Sequence, residues 1–558
     1  ETASHFKGKI IFDYLLYEYR VVYNEEEIVG TSLTIHDRMN KECFTIYAFK
    51  NIPELKNAYS VSLIKLSALQ ERELPISETT IIVLLVFLLV FFRGFSVFMQ
   101  KRTVTVGLKK IVTIVVMGDI GRSPRMQYHA LSFAQNGWTV DFVGYDGVKP
   151  LDSITNNPLI KIHHISHLWR FPDNFPKWLF ILCTPIKVYF QILSLYWTLF
   201  MKTSGPDIML VQNPPSIPTL MITQFVCWLR QTNLIIDWHN FGYTILGLRL
   251  GKDSLIVKFA KWYEKIYGGR AGAHLTVTSK MHRELMYNWE VQGRIVTLYD
   301  RPPTNFKRLE LEEVHEFLTR FNLEKIVSEQ TINSHFLPSS SSASTLLTSK
   351  TSPTNPAKYR DDRPILIVSS TSWTADEDFS MLLQAAQICD QFAELCSKQD
   401  SSKKFPKLLF VITGEGPLKS KYVEEISKMS MNQVRIVTTW LPAEDYPLLL
   451  GSADLGLCLH TSSSGMDLPM KVVDMFGCGI PVCAVEFDCL DELVKHDKNG
   501  LIFKNGEQLA QQLIDLFTDY PANKSKLESM EKRVDEYRKE NWENNWNRTM
   551  LPLLSTLV

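Results

Sequence analysis

Between Leu459 and Ala484 the chain reads LHTSSSGMDLPMKVVDMFGCGIPVCA. Ser462, Ser463, Ser464 and Gly465 make a loop whose hydroxyls and N–H groups can cradle a diphosphate, and Lys471 can neutralise charge building on a leaving phosphate. Asp474, farther along the predicted helix, is a carboxylate able to accept both ribose hydroxyls of a nucleotide. Met470, Val473 and Phe476 suit the core side of that helix, and Gly477, Gly479 and Pro481 end it. The bland alternative is a polar loop with a surface Asp.

Three other loops carry groups of the same kind. GDIGRSPRMQ, Gly118 to Gln127, offers Gly118 and Gly121 for close backbone approach, Ser123 as a helix cap, Pro124 in the first turn, and Arg122 and Arg125 beside a helix N-terminus that can hold an anion. Its spacing is not that of the dinucleotide GxGxxG, so a dehydrogenase loses its main support. NLIIDWHN brings Asp237 and His239 to a strand end, where they serve as a general base or position a sugar hydroxyl, or where the histidine is simply satisfied. In VSSTSWTADEDF, Ser369 to Thr374, Ser372 among them, supply donors near a helix start, and in VITGEGPLK Gly414 and Gly416 form a turn that admits a ligand or only reverses the chain. Asp376 and Asp378 read as first-turn residues complementing a helix dipole, with a metal role as the alternative. No His-Glu-x-x-His or other metal-ligand cluster stands out, so leaving-group stabilisation falls to protein dipoles and a cation.

These loops need strands to hold them. IVTIVVMGDIG, TVDFVGY, DIMLVQ, NLIIDWH, AHLTVTS and RIVTLYD are apolar runs ending in polar residues or glycine and separated by helix-length intervals, which predicts a doubly wound parallel sheet in a domain of about 190 residues. Residues 327–362 are rich in Ser, Thr and Pro and read as a disordered insertion or linker. PILIVSS, KLLFVITGEG, VRIVTTW, DLGLCLH and IPVCAVE then repeat the pattern. The expected fold class is α/β of GT-B type: two Rossmann-like doubly wound domains facing one cleft, preceded by a single transmembrane helix. The chemistry fits glycosyl transfer better than oxidoreduction.

With 558 residues, 60 Lys+Arg and 60 Asp+Glu, the chain has more than one core and no basic field for nucleic acid. Nine cysteines without a Cys-x-x-Cys pair form neither a disulfide framework nor a zinc site. IIVLLVFLLVFF, 81–92, extended to Met99, reaches about the twenty residues that span a bilayer. Lys101, Arg102, Lys109 and Lys110 follow it, so the large C-terminal part is expected in the cytosol. A second run, Trp178 to Phe200, is interrupted by Pro185, Lys187 and Gln191 and suits a helix in the membrane interface or on a domain surface. The chain opens on Glu1 rather than Met, as a processed or partial sequence would. Residues 1–78 carry strand-like pieces such as KIIFDYLLYEYRVVY, a polar turn from Asn24 to Glu27, and no chemical motif.

The segments GDIGRSPRMQYHALS, VQNPPSIP, IDWHNFGYTILGL, AKWYEK, VSSTSWTADEDFS, WLPAEDYPLLLGSADLGLCLHTSSSGMDLPMKVVDMFGCGIPV and ELVKHDKNGL closely resemble the chitobiosyldiphosphodolichol β-mannosyltransferases over roughly Lys109 to Leu554. The resemblance implies transfer of the first mannose from GDP-mannose to dolichol-diphosphate-linked chitobiose. The linkage would be β1,4, formed with inversion at the cytosolic face of the endoplasmic reticulum during N-glycan assembly. It implies a single-pass membrane protein with cytosolic catalytic domains, membrane lipid and other dolichol-pathway glycosyltransferases as partners, no nucleic acid, and no strictly required metal or other cofactor. Carried onto this sequence, Asp237 or His239 is the base with Asp119 in reserve. Ser463, Ser464, Gly465 and Lys471 hold the donor diphosphate, with Asp474 at the ribose. Ser372, Gly414 and Glu415 wall the donor side, and Leu441 to Glu444 face the guanine. Gly121, Arg122, Ser123 and Arg125 take the acceptor diphosphate.

The retaining transferases of this fold carry Glu-x7-Glu where this chain has Met466 and Asp474, with Asp467 able to take the first place by a one-residue shift. Residues 1–78 have no counterpart in the family. The expected division is an extension over 1–78, a span over 79–100, an acceptor domain over 108–305, a linker over 306–362, and a donor-nucleotide domain with a closing helix over 363–558. A catalytically silent scaffold of this fold for other glycosyltransferases, or a transferase for another nucleotide sugar, are the competing readings.

Overall fold

The computed structural model describes residues 5–12, 15–24, 27–37, 42–49, 110–166, 177–330, 336, 344–352, 354–398 and 403–558. The chain divides into two compact units, Glu1–Ser96 and Val97–Val558. The first holds an antiparallel meander, β1 (His5–Phe12), β2 (Leu15–Asn24), β3 (Glu27–Asp37) and β4 (Glu42–Phe49), in that order across the sheet. The apolar span expected at 79–100 lies outside the described residues, and among the described residues no helix is long and apolar enough to cross a membrane.

The second unit contains two parallel sheets. In the first, β5 (Ile111–Asp119), β6 (Thr139–Tyr145), β7 (Ile160–His164), β8 (Ile208–Asn213), β9 (Asn233–Trp238), β10 (Arg270–Thr276) and β11 (Gln292–Thr297) lie in the order β11-β10-β9-β8-β5-β6-β7. Ile111 to Met117 are all buried, as a β-branched run covered by helices on both faces requires. The second sheet follows a small hairpin, β12 (Thr348–Ser349) with β13 (Lys358–Tyr359). It comprises β14 (Ile365–Ser370), β15 (Leu408–Thr413), β16 (Val434–Thr439), β17 (Leu455–Cys458), β18 (Val482–Val485) and β19 (Gly500–Phe503), ordered β16-β15-β14-β17-β18-β19.

Two expectations need correction, and a third is met by the structure. The segment read as a disordered linker is partly packed: Phe336, Leu346 and Leu347 are buried in the core of the second sheet's domain and His315 bonds Thr348 at 2.9 Å, because a few large apolar side chains suffice to anchor a polar stretch. The closing helix Trp542–Leu554 does not complete the second sheet's domain. Its Trp542, Trp546, Met550, Leu553 and Leu554 join the core over the first sheet, against the helix Pro124–Gln135, with Trp546 Nε1 donating to His129 Nδ1 at 2.9 Å. The run from Trp178 lies in the helix Lys177–Trp197, which buries Leu195 and leaves Ile186, Tyr189, Leu193 and Trp197 exposed, so it is a surface helix with an apolar outer face.

Two buried charges fix the loops at the strand ends. Arg125, in the first turn of Pro124–Gln135, makes a bidentate pair with Asp237 at 2.9 and 3.0 Å and bonds the Leu298 carbonyl and Asp300 at 3.0 and 2.7 Å. One guanidinium thereby ties the loop after β5 to the ends of β9 and β11. Glu264, in the helix Leu255–Gly268, accepts from Asn213 Nδ2 and from the N–H groups of Gly242 and Tyr243, capping the helix Gly242–Leu250 and fixing the segment after β9. Removing one partner of a buried pair leaves an uncompensated charge, at a cost of about 3–5 kcal/mol. Arg125→Ala is therefore expected to destabilise the second unit by about that amount in urea unfolding, and Arg125→Ala with Asp237→Ala to lose no more than either single change. Additive losses would show that the pair does not bear this load.

Candidate active site

On the first sheet the site grows from the end of β9. Asp237 is completely buried. Besides Arg125 it receives His239 Nε2 at 2.8 Å, and His129 Nε2 lies 3.3 Å away. Burial alone would raise its carboxyl, but Arg125 and His239 outweigh that and hold it well below the usual range. Asp237 is thus a permanent anion with its oxygens engaged, and the expectation that it takes an acceptor proton is corrected: it has neither exposure nor a free lone pair aimed at the cleft. His239 is different. Its side chain is 24% exposed, and with Nε2 turned to Asp237 its Nδ1 makes no hydrogen bond among the described residues. Asp237 therefore orients His239 and selects the tautomer with a free Nδ1.

The loop after β5 is also occupied in ways that spacing did not reveal. Asp119 accepts from the N–H groups of Gly121 and Val148 at 2.9 and 2.8 Å, so its carboxylate clamps two loops instead of standing in reserve as a base. A Cβ on Gly121 would lie 2.1 Å from the Val148 carbonyl, so this glycine admits the chain's own backbone, not a ligand. Ser123 occupies the N-cap position but its hydroxyl donates to the Asp119 carbonyl at 3.1 Å without capping, and Pro124 is in the first turn as expected. Arg125 cannot reach an acceptor diphosphate, being buried and bound through four of its N–H groups to Asp237, Asp300 and the Leu298 carbonyl. Arg122, 77% exposed and only loosely paired with Asp119 at 3.5 Å, remains open to an anion.

On the second sheet, β14 and β17 are neighbours whose flanking strands run off in opposite directions, a topological switch point where ligands of such sheets bind. Gly414, at φ +142°, would place a Cβ 1.8 Å from the Thr371 carbonyl; it too permits a chain-to-chain approach, with Trp373 Nε1 donating to its carbonyl at 3.2 Å. Ser372 is exposed and its N–H donates to buried Glu377 at 2.9 Å, while Glu415 is exposed and paired with Lys419. Leu441 is buried in the core, and Pro442 to Glu444 are exposed. Lys471 pairs with Glu377, and Glu377 also receives the Thr371 hydroxyl.

The serine loop is ordered from within: Asp467 Oδ1 accepts from the hydroxyls of Ser462 and Ser464, and Gly465 N–H donates to Ser462 Oγ at 2.8 Å. Asp474, in the helix Met470–Gly477, is half-buried and its carboxyl makes no hydrogen bond among the described residues; burial and nearby Asp300 push that carboxyl well up. An unspent carboxyl of this kind is available to paired hydroxyls. Asp376 and Asp378 both lie ahead of the helix Ser380–Lys398, whose first turn holds no acidic residue, so the expectation of first-turn carboxylates is corrected: Asp378 accepts from Ser380 N–H just before the helix, and Asp376 turns to His460.

The two halves meet. Asn240 Nδ2 donates to Asp467 Oδ1 at 3.0 Å and to Ser463 Oγ at 3.2 Å, Thr244 Oγ1 lies 3.2 Å from Ser463 Oγ, and Thr278 Oγ1 donates to the Met466 carbonyl at 2.6 Å. The segment carrying His239 thus faces the serine loop directly. Reading from spacing missed Asn240's crossing role, Glu377 and His460. Glu377 was hidden inside the acidic run Asp376–Asp378, and a lone histidine before a serine loop carries no periodic signal.

Residues 353–539 match the family described as Glycosyl transferases group 1. The UDP-glycosyltransferase TURAN of Arabidopsis thaliana is 45% identical over 80% of this chain and 97% of that protein. The chitobiosyldiphosphodolichol beta-mannosyltransferase of Mus musculus is 43% identical over 86% of this chain and 95% of that one. Among solved structures, sucrose-phosphate synthase from Thermosynechococcus elongatus has a TM-score of 0.52 over 81% of this chain and 99% of its own, at 14% identity, a likeness in fold alone. With two Rossmann-like domains in the GT-B arrangement and near full-length likeness to such enzymes, the chain belongs to the chitobiosyldiphosphodolichol beta-mannosyltransferase family of glycosyltransferases.

Proposed function

We propose that this protein transfers mannose from GDP-mannose to the chitobiose of a diphosphodolichol acceptor, forming a β1,4 linkage with inversion, at the cytosolic face of the endoplasmic reticulum membrane. The observation that carries the mechanism is the partly exposed His239, backed by buried Asp237 and set against a serine loop on the opposite domain. Inversion by direct displacement needs a base at the attacking hydroxyl and charge stabilisation at the leaving diphosphate on the far side of the reacting carbon. His239 Nδ1 takes the hydroxyl proton, and the resulting imidazolium is stabilised by Asp237. The acceptor oxygen bonds to C1 as the bond from C1 to the diphosphate oxygen breaks.

Ser463, Ser464, Gly465 and Lys471 hold the diphosphate, with Asp474 at the ribose and Asp467 near the sugar. Ser372 and Glu415 border the donor, and Arg122 takes the acceptor diphosphate. For the lipid, the helix Leu255–Gly268 turns Leu255, Ile256, Phe259 and Trp262 outward beside Lys258, Lys261 and Lys265, Leu255 being 82% exposed. That combination suits a membrane interface, together with the outer face of Lys177–Trp197. The division into an extension, a span, an acceptor domain, a linker and a donor domain follows the same reading, with the last helix reassigned to the acceptor side.

A transferase for a uridine nucleotide is the competing reading, favoured by the printed name of the Arabidopsis relative. Radiolabelled transfer to a chitobiose-diphosphate lipid, with GDP-mannose and UDP-sugars offered in parallel, decides it: incorporation from GDP-mannose alone is expected, and incorporation from a UDP-sugar instead would reject the donor assignment. His239→Ala is expected to lower kcat by about 10²–10⁴-fold while GDP affinity stays within a few-fold. Asp474→Asn should instead weaken donor binding, and unchanged kcat in the His239 variant would remove it as the base. Changing Leu255, Phe259 and Trp262 together to Ser should depress transfer to a dolichol-length acceptor presented in vesicles while sparing a short water-soluble acceptor; equal losses on both would point to misfolding and not to lost membrane contact.

A further inference from the structure

The crevice between the ends of β14 and β17 holds an ionic pair that the mechanism above does not use. His460, two residues beyond β17, is 22% exposed; its Nδ1 lies 3.0 Å from Asp376 Oδ2, on the loop after β14, and its Nε2 lies 3.8 Å from Asp467 Oδ2, beyond the serine loop. Both ring nitrogens face carboxylates. A neutral imidazole would turn a lone pair toward one of them, whereas an imidazolium offers a proton to each. Burial opposes the charge and Lys471 repels it, but Asp376 and Asp467 prevail and raise the ring to about 9, so it is charged at neutral pH. The Nε2 proton is held near Asp467 at more than hydrogen-bond length, available to a stronger acceptor.

The same loop repeats the device one residue on, where Glu377 holds Lys471. Asp376 and Glu377, both on the loop after β14, therefore each hold a cation from the segment after β17, His460 and Lys471, on either flank of the serine loop in sequence. The loop's own anion, Asp467, is simultaneously bound by Asn240 from the opposite domain. An anion entering this crevice meets two cations whose positions are fixed before it arrives, the preorganisation that makes electrostatic stabilisation effective.

We propose that His460 is a catalytic residue that donates its Nε2 proton in a hydrogen bond to the diphosphate of the bound sugar nucleotide, sharing with Lys471 the stabilisation of the leaving group. As the C1–oxygen bond breaks, its electron pair stays on the diphosphate, whose added charge is met by the two cations without proton transfer. This rests on the reading of the cleft as a sugar-nucleotide site, but not on which base or sugar is bound.

The test compares nucleoside diphosphates with monophosphates on the full chain in detergent, by calorimetry between pH 7 and 10, with kcat measured alongside. In the unaltered protein the preference for GDP over GMP should fall as pH passes about 9, where His460 loses its charge. His460→Gln should weaken GDP about tenfold, leave GMP within twofold, lower kcat about 10²-fold and abolish that limb. Asp376→Asn, which removes one of the carboxylates holding the charge, should move the limb to lower pH. Wild-type GDP preference and pH dependence in His460→Gln would overturn the proposal, as would equal losses for GDP and GMP, which mark a structural role. If the unaltered protein binds UDP and UMP instead, the donor assignment fails while the same comparison with uridine nucleotides still decides on His460; binding of no nucleoside diphosphate overturns both.

Discussion

The first-sheet side of this enzyme's cleft leans on one buried guanidinium. Arg125 stands at the start of a helix, and four of its five N–H donors are spent on carboxylates and a carbonyl from strands that lie apart in the sequence. A charge without water is tolerable only when it is matched in this way. Once matched, it is unusually directional, since the planar fork fixes the plane of the Asp237 carboxylate and that carboxylate in turn fixes His239. The base proposed for the reaction is therefore positioned by an ion pair that never meets the substrate. The covering helix Trp542–Leu554 completes the arrangement, with Trp542 against the guanidinium at 5.4 Å.

The second-sheet side follows a different electrostatic plan. Its charges are partly exposed and held in pairs by the loop after β14, and the links that cross the cleft run mainly through hydroxyls, an amide and a carboxylate. Such contacts are individually worth little and are readily exchanged for contacts to a phosphate or sugar hydroxyl. Rigidity on one side and exchangeable polar contacts on the other suit a cleft that must hold its base still while it admits and releases a nucleotide.

How much of this was legible beforehand depended on the range of the interaction. The long central strands announced themselves, because a β-branched run such as Ile111–Met117 is buried on both faces. β7, reading IKIHH, and β19, reading GLIF, were missed: the first alternates charge into an edge strand, and the second is too short to stand out. The serine loop, Lys471 and Asp474 could be picked out from local spacing. What spacing could not show is that Arg125 finds Asp237 112 residues away, or that Gly121 and Gly414 make room for the chain itself. Partner choice over such distances is decided by topology, and the roles first assigned to Asp237, Asp119 and Arg125 failed for that reason. The last helix was expected to close the second sheet's domain because it follows that domain in sequence, whereas Trp542–Leu554 packs into the core over the first sheet.

The return of that last helix has a consequence for the order in which the molecule can be made. The sheet of β5 to β11 is translated before that of β14 to β19, yet Trp546 and its neighbours, which fill the space beside Phe133 and His129, are translated after both. The first sheet must wait, incompletely covered, while the entire second domain is translated. A nascent chain halted before Asn541 would present that uncovered core to chaperones and proteases, so the state of the domain made earlier reports whether the second domain has been translated through.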